Sequence, residues 1–214
     1  MEGTFLGLGA VLVVMFIAQT VHPPLTDLLA FKGELVAQRP WTLLSSMFIH
    51  SSGEHLLHNL FPLILFGFIL ERIAGTRRFI TILLIAELAS SIAVMQAYPH
   101  VRVLGASGAA RGVVGAIAAM RPTLIVYWGA PLPVIVLGGI WLALDTAGVY
   151  GHAENIAYEG HLGGLLAGFF LGLAWRKHVR PFGREEDGPI PEVDEKTAEK
   201  WEDKYILSEH DRER

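Results

Sequence analysis

The sequence predicts an all-α membrane protein built as a bundle of six transmembrane helices. Three observations predict it. The 214 residues have a mean hydropathy of +0.43, with 52% hydrophobic and only 18% charged residues, a balance foreign to soluble domains. Apolar stretches long enough to cross a bilayer recur six times. Charge is gathered at the end: Arg184 to Arg214 holds twelve acidic and six basic residues, so an apolar body precedes a hydrophilic tail.

The spans are expected at residues 3–21, 53–71, 79–97, 104–120, 131–147 and 157–175. The first follows Met1-Glu2 without a basic region, and Ala18-Gln19-Thr20 runs into His22-Pro23-Pro24 without a small-x-small cleavage site. It reads as a retained helix rather than a signal peptide. Residues 22–52, with Pro23-Pro24, Arg39-Pro40 and Trp41, are too irregular to span and are expected to rest in the membrane interface. The tail is read as disordered and cytoplasmic, although Trp201 and Tyr205 are spaced for one amphipathic helix.

Six spans place both termini on one side. Arg72, Arg77, Arg78, Arg121, Arg176, Lys177 and Arg180 lie near helix ends on that side, against Lys32, Arg39 and Arg102 on the other. This excess of cations predicts cytoplasmic termini. With no cysteine, a thiol nucleophile, a disulfide and a thiolate metal site are excluded.

Polar groups inside spans are costly and mark function. The second, fourth and sixth spans all enter from the outer side. That brings His55 and Asn59, Ser107, and His161 to a similar shallow depth, within roughly the outer third of the bilayer at about 1.5 Å per residue. Gly108, Gly112 and Gly115 in the fourth span face the same task as Gly160, Gly164, Gly168 and Gly172 in the sixth. Small residues four apart let two backbones approach closely, so these two spans are expected to form the tightest pair, with Ser107 and His161 at its upper end. A serine beside a neutral histidine can become a nucleophile. The helix start at Ser107 offers free backbone N–H groups, and His55 and Asn59, on one helix face, add side-chain donors for an oxyanion.

Each residue has a plainer reading. Ser107 alone would be a helix cap, and Ala109 breaks the G-x-S-x-G pattern of α/β hydrolases. His161 alone would be a hydrogen-bonded core residue. His50, His55 and His58 could join His161 around zinc, though such sites usually add carboxylates or cysteines. His50 is better read as holding the loop before the second span, and Glu159 is weighed as a third member of the site but points elsewhere on its helix. A transporter reading would need polar residues along a whole pore.

Gly105-Ala106-Ser107-Gly108 resembles the GxSG motif of the rhomboid family of intramembrane serine proteases. His161-Leu162-Gly163-Gly164-Leu165-Leu166-Ala167-Gly168 resembles that family's histidine-and-glycine helix, and the segment from His50 to Asn59 its HxxxxHxxxN pattern; Trp41, Gly67 and Glu71 also fit. The resemblance covers residues 1–178 as a six-helix rhomboid domain and leaves 179–214 as the tail. It implies catalytic Ser107 and His161 as a dyad without an acid, and an oxyanion hole from His55, Asn59 and the Ser107 amide. The implied reaction cleaves peptide bonds in or next to substrate transmembrane helices. Transmembrane proteins and the lipid bilayer are the implied partners, with no nucleic acid, metal or cofactor. The lack of a transit sequence makes a prokaryotic plasma membrane the expected location. The alternative is an inactive rhomboid-like protein that binds transmembrane clients.

Two positions depart from the pattern. Thr42 follows Trp41 where the family often has arginine, and Arg111 occupies a position usually aromatic. A cation there would lower the basicity of His161, which favours the alternative. Depth matching predicts instead that Arg111 pairs with Glu87 in the third span, away from His161.

Overall fold

A computed structural model describes residues 3–151 and 156–180. The tail from residue 181, with Trp201 and Tyr205, lies outside the described residues. Six helices correspond to the expected spans: α1 (Thr4–Val21), α4 (Gly53–Ala74), α5 (Thr76–Ala97), α6 (Ser107–Met120), α7 (Val134–Gly151) and α8 (Tyr158–Trp175). Between the first two of these lie the short helices α2 (Pro24–Leu29) and α3 (Thr42–Ser45). By length and composition α1, α4, α5 and α7 can each cross a membrane. The count of six full spans goes beyond this, because α6 has 14 residues and α8 opens with Tyr158, Glu159 and His161 among glycines.

Local chemistry sets the helix ends. The Ser52 side chain accepts from the His55 amide at 3.1 Å, capping α4. Gly75, at φ +82°, turns the chain directly from α4 into α5, a conformation that suits glycine. At that end Glu71 accepts from the Thr4 and Phe5 amides at 3.3 and 3.2 Å and from Thr76 Oγ1 at 2.7 Å. One buried carboxylate thus satisfies the open start of α1, where the helix dipole favours a negative charge. The fifth expected span, α7, begins at Val134 rather than at residue 131 because β3 (Ile125–Tyr127) and β4 (Pro131–Pro133) form an antiparallel hairpin there.

Helix α6 is the centre of the bundle. Twelve of its fourteen residues are buried, and at about 1.5 Å per residue it is roughly 21 Å long, short of a hydrocarbon core of about 30 Å. It can be this short because α5 and α8 enclose it, and a Cβ on Gly164 or Gly168 would collide with the carbonyl oxygen of Gly108 or Gly112. The expected pairing of the two glycine stripes is therefore present. Outward faces are apolar instead: Val14 and Ile17 on α1 and Phe170 on α8 are more than half exposed, as suits lipid contact.

Residues 22–52 fold as irregular, short elements, as anticipated. Strand β1 (Phe31–Lys32) pairs with β2 (Arg102–Val103), the turn just before α6. Arg102 meets Asp27 at 2.7 Å, His100 meets Glu34 at 2.6 Å, and Trp41 Nε1 donates to the Leu28 carbonyl at 3.1 Å. The two ion pairs tie the long segment to the turn before α6, and the Trp41 bond closes the segment on itself. Deeper in, the Gly105 amide donates to the Ser46 carbonyl at 2.9 Å.

Candidate functional site

Ser107 is the first residue of α6, so its amide has no partner within the helix. His161, one turn into α8, reaches it across the glycine contact: Ser107 Oγ and His161 Nε2 are 2.8 Å apart. On the other side of the ring, His161 Nδ1 lies 3.0 Å from Asp145 Oδ1 on α7. Asp145 is 2% exposed and is gripped by both nitrogens of the Arg111 fork, Nε to Oδ2 at 2.8 Å and a terminal nitrogen to Oδ1 at 3.1 Å. The guanidinium also lies 4.0 Å from the Trp141 ring centre, a cation–π distance.

This arrangement corrects two expectations. Arg111 pairs with Asp145, not with Glu87. Glu87 is buried on α5 beside Ser46, whose hydroxyl donates to it at 3.3 Å, and near the Ala109 amide. Depth along the bundle matched Arg111 to Glu87, but the face of α6 that carries Arg111 looks toward α7. The second correction concerns the acid: His161 has a carboxylate neighbour, and it is not Glu159, which accepts from Tyr98 Oη at 3.0 Å. Asp145 escaped the sequence reading although a signal was available. It is the sole charged residue of α7, and a lone intramembrane carboxylate marks a functional site by default.

His55 and Asn59 also gather here. Their side chains crowd Gly105, two residues before Ser107: a Cβ at Gly105 would lie 2.7 Å from His55 Nε2 and 3.6 Å from Asn59 Nδ2. The Ser51 amide donates to His55 Nδ1 at 3.4 Å, and Ser51 Oγ sits 3.0 Å from the same atom. An accepting Nδ1 leaves the ring proton on Nε2, the atom turned toward Gly105. Asn59 donates to the His55 carbonyl at 2.8 Å, and its amide keeps a second N–H. His58 points outward and is exposed. His50 is buried against the His55 ring at 5.2 Å between centroids. It holds its loop through its backbone rather than its ring, because its amide and carbonyl both bond the Gln19 side chain. Among the described residues, His50, His55, His58 and His161 do not assemble a metal-binding group.

The site is a serine hydroxyl, an imidazole and a carboxylate in sequence, beside inward-turned N–H groups at a helix start. Fold and site together define a helical membrane protein in which serine, histidine and aspartate side chains from three helices are joined by hydrogen bonds. A model of the Rhomboid domain matches residues 37–178, and the chain belongs to the rhomboid family; it is a multi-pass membrane protein. It is 33% identical over 152 residues to Rhomboid protease GluP of Bacillus subtilis, covering 68% of this chain and 28% of that protein. It is 32% identical over 145 residues to the mitochondrial RHOMBOID-like protein 6 of Arabidopsis thaliana, covering 67% and 46%. Against human Rhomboid-related protein 3 the identity is 27% over 174 residues, covering 74% and 42%. The chain thus spans under half the length of these relatives.

Proposed function

We propose that the chain is an intramembrane serine protease that hydrolyses peptide bonds in or next to the transmembrane helices of its substrates. The observation that carries this reading is the 2.8 Å contact between Ser107 Oγ and His161 Nε2, set at the start of a buried helix. The Ser107 oxygen attacks the peptide carbonyl carbon while His161 takes its proton. The oxyanion so formed is met by the Ser107 amide, His55 Nε2–H and the second N–H of Asn59. His161 returns the proton to the departing amine as the C–N bond breaks, leaving an acyl ester on Ser107. Water then attacks the ester, gives a proton to His161, and Ser107 recovers it on release.

Residues 1–178 form the working domain in this reading, with cytoplasmic termini and residues 179–214 as an appendage; a prokaryotic plasma membrane is the proposed setting. Arg111 no longer favours an inactive client-binding protein, because Asp145 and Trp141 occupy its guanidinium. The test is labelling by a fluorophosphonate probe together with cleavage of a model transmembrane substrate in liposomes. Wild type is expected to label and cleave, and Ser107→Ala and His161→Ala to do neither, since the two act as one unit. Cleavage that survives either substitution would exclude the assigned pair, and a folded wild type that neither labels nor cleaves would favour the client-binding alternative.

A further inference from the structure

We infer that Asp145 is a positioning residue for His161, and that Arg111 holds it in place, so the site works as a serine–histidine–aspartate chain clamped by arginine. The inference rests on the proposed protease reading. A carboxylate held by an arginine fork is ionised and can only accept hydrogen bonds, so the 3.0 Å contact from Asp145 Oδ1 requires the proton on His161 Nδ1. The lone pair is then on Nε2, 2.8 Å from Ser107 Oγ, the form a general base needs. The same carboxylate faces the positive charge His161 acquires once it takes the serine proton.

Three supports fix the aspartate. Two parallel bonds from Arg111 set the plane of the carboxylate, a geometry specific to arginine. Trp141 covers the guanidinium face and is itself wedged against Phe66 and Trp128, at 6.0 and 5.6 Å between ring centres. The carboxylate is nearly sealed, at 2% exposure, so little water competes for His161 Nδ1. Arg111 is one turn after Ser107 on α6 and Asp145 is on α7, so the clamp also ties α7 to the helix that carries the nucleophile. A purely structural ion pair would need only Arg111 and Asp145; the third bond, to His161, is what gives the pair a role in proton transfer.

The test compares Asp145→Asn, Arg111→Met and the double variant in the full chain in liposomes. Readouts are kcat and KM on a model transmembrane substrate and the ¹⁵N resonances of labelled histidine. Wild type is expected to show His161 protonated at Nδ1. Asp145→Asn should lower kcat about 10²–10⁴-fold, with KM changed less than about threefold, and should shift His161 toward a mixture of tautomers. Arg111→Met should lower kcat less, because the aspartate remains. The double variant removes both charges, so it should fold even where Asp145→Asn does not, and its kcat should stay near that of Asp145→Asn. Wild-type kcat in the double variant, with Ser107→Ala and His161→Ala inactive, would overturn the positioning role and leave the serine–histidine pair standing. Activity in Ser107→Ala or His161→Ala would instead overturn the protease site itself.

Discussion

The His55 ring stands where a side chain on Gly105 would have to go: a Cβ there would lie 2.7 Å from both Cε1 and Nε2 of the imidazole. Gly105 also has φ +108°, a conformation that L residues adopt only with strain. Gly105→Ala is therefore expected to push His55 away from Ser107 and strain the turn into α6, costing about 1–3 kcal/mol of stability. A displacement of this kind is expected to reduce turnover by about 10²-fold. Thermal unfolding and substrate cleavage would check it; a fully active, equally stable Gly105→Ala protein would contradict the close approach.

If His55 and Asn59 each supply one oxyanion donor, His55→Ala and Asn59→Ala should each lower kcat by about 10²–10³-fold. KM should change little, because the donors are aimed at charge that develops only during the reaction. Steady-state kinetics on one model substrate separate the two parameters. Rates equal to wild type would remove these residues from the oxyanion hole.

Packing between α6 and α8 gives a prediction with an internal control. Gly164→Val should lose activity and unfold at lower temperature, because its side chain would be driven into the Gly108 backbone and backbone cannot yield as a side-chain tip can. A loss above about 1–3 kcal/mol is expected. Gly139, on α7, has nothing within 4 Å of an added Cβ, so Gly139→Ala should be neutral or stabilise by up to about 1 kcal/mol. Comparable losses at the two positions would show that the close contact between α6 and α8 is not what sets the cost at Gly164.

Arg111 and Glu87 belong to different networks, so the stability losses of Arg111→Met and Glu87→Gln should add within about 0.5 kcal/mol. Arg111 and Asp145 share two hydrogen bonds, and Arg111→Met with Asp145→Asn should couple by about 0.5–3 kcal/mol. Equilibrium unfolding of the singles and doubles in one detergent decides between the two patterns. Strong coupling of Arg111 to Glu87 would restore the pairing that depth alone suggested.

His50 gives a pH dependence. It lies in the loop before α4, and burial, followed by the neighbouring His55, lowers its pKa from 6.5 to about 4. The folded protein thus holds His50 neutral where the unfolded chain would protonate it. Its stability contribution is complete above about pH 6.5, declines as pH falls, and levels off below about pH 4. The loss across that window is up to about 3 kcal/mol. His50→Gln should flatten this part of the stability curve relative to wild type; parallel curves from pH 7 to 4 would remove His50 as a cause.

Some of this was determined by sequence alone. Apolar length placed the helices to within a few residues, because a bilayer imposes one requirement on every span. Entry direction put Ser107, His161, His55 and Asn59 at one depth, and glycines four apart named the helices that touch, since only small residues permit such contact. Span-length reasoning overshot the start of α7, where local pairing of residues 125–133 turned apolar sequence into a hairpin.

What the tertiary structure decided was direction around each helix. Depth is one coordinate and follows from counting residues; facing is the other and depends on how each helix is rotated in the bundle. Glu87 and Asp145 were both available to Arg111 by composition, and only the packed arrangement shows α7 presenting Asp145 to Arg111 and His161 together. Glu87 turns to Ser46 instead. The identity of the third group beside His161 therefore emerged only once the helices had packed, because buried charges take the partner within reach of a hydrogen bond.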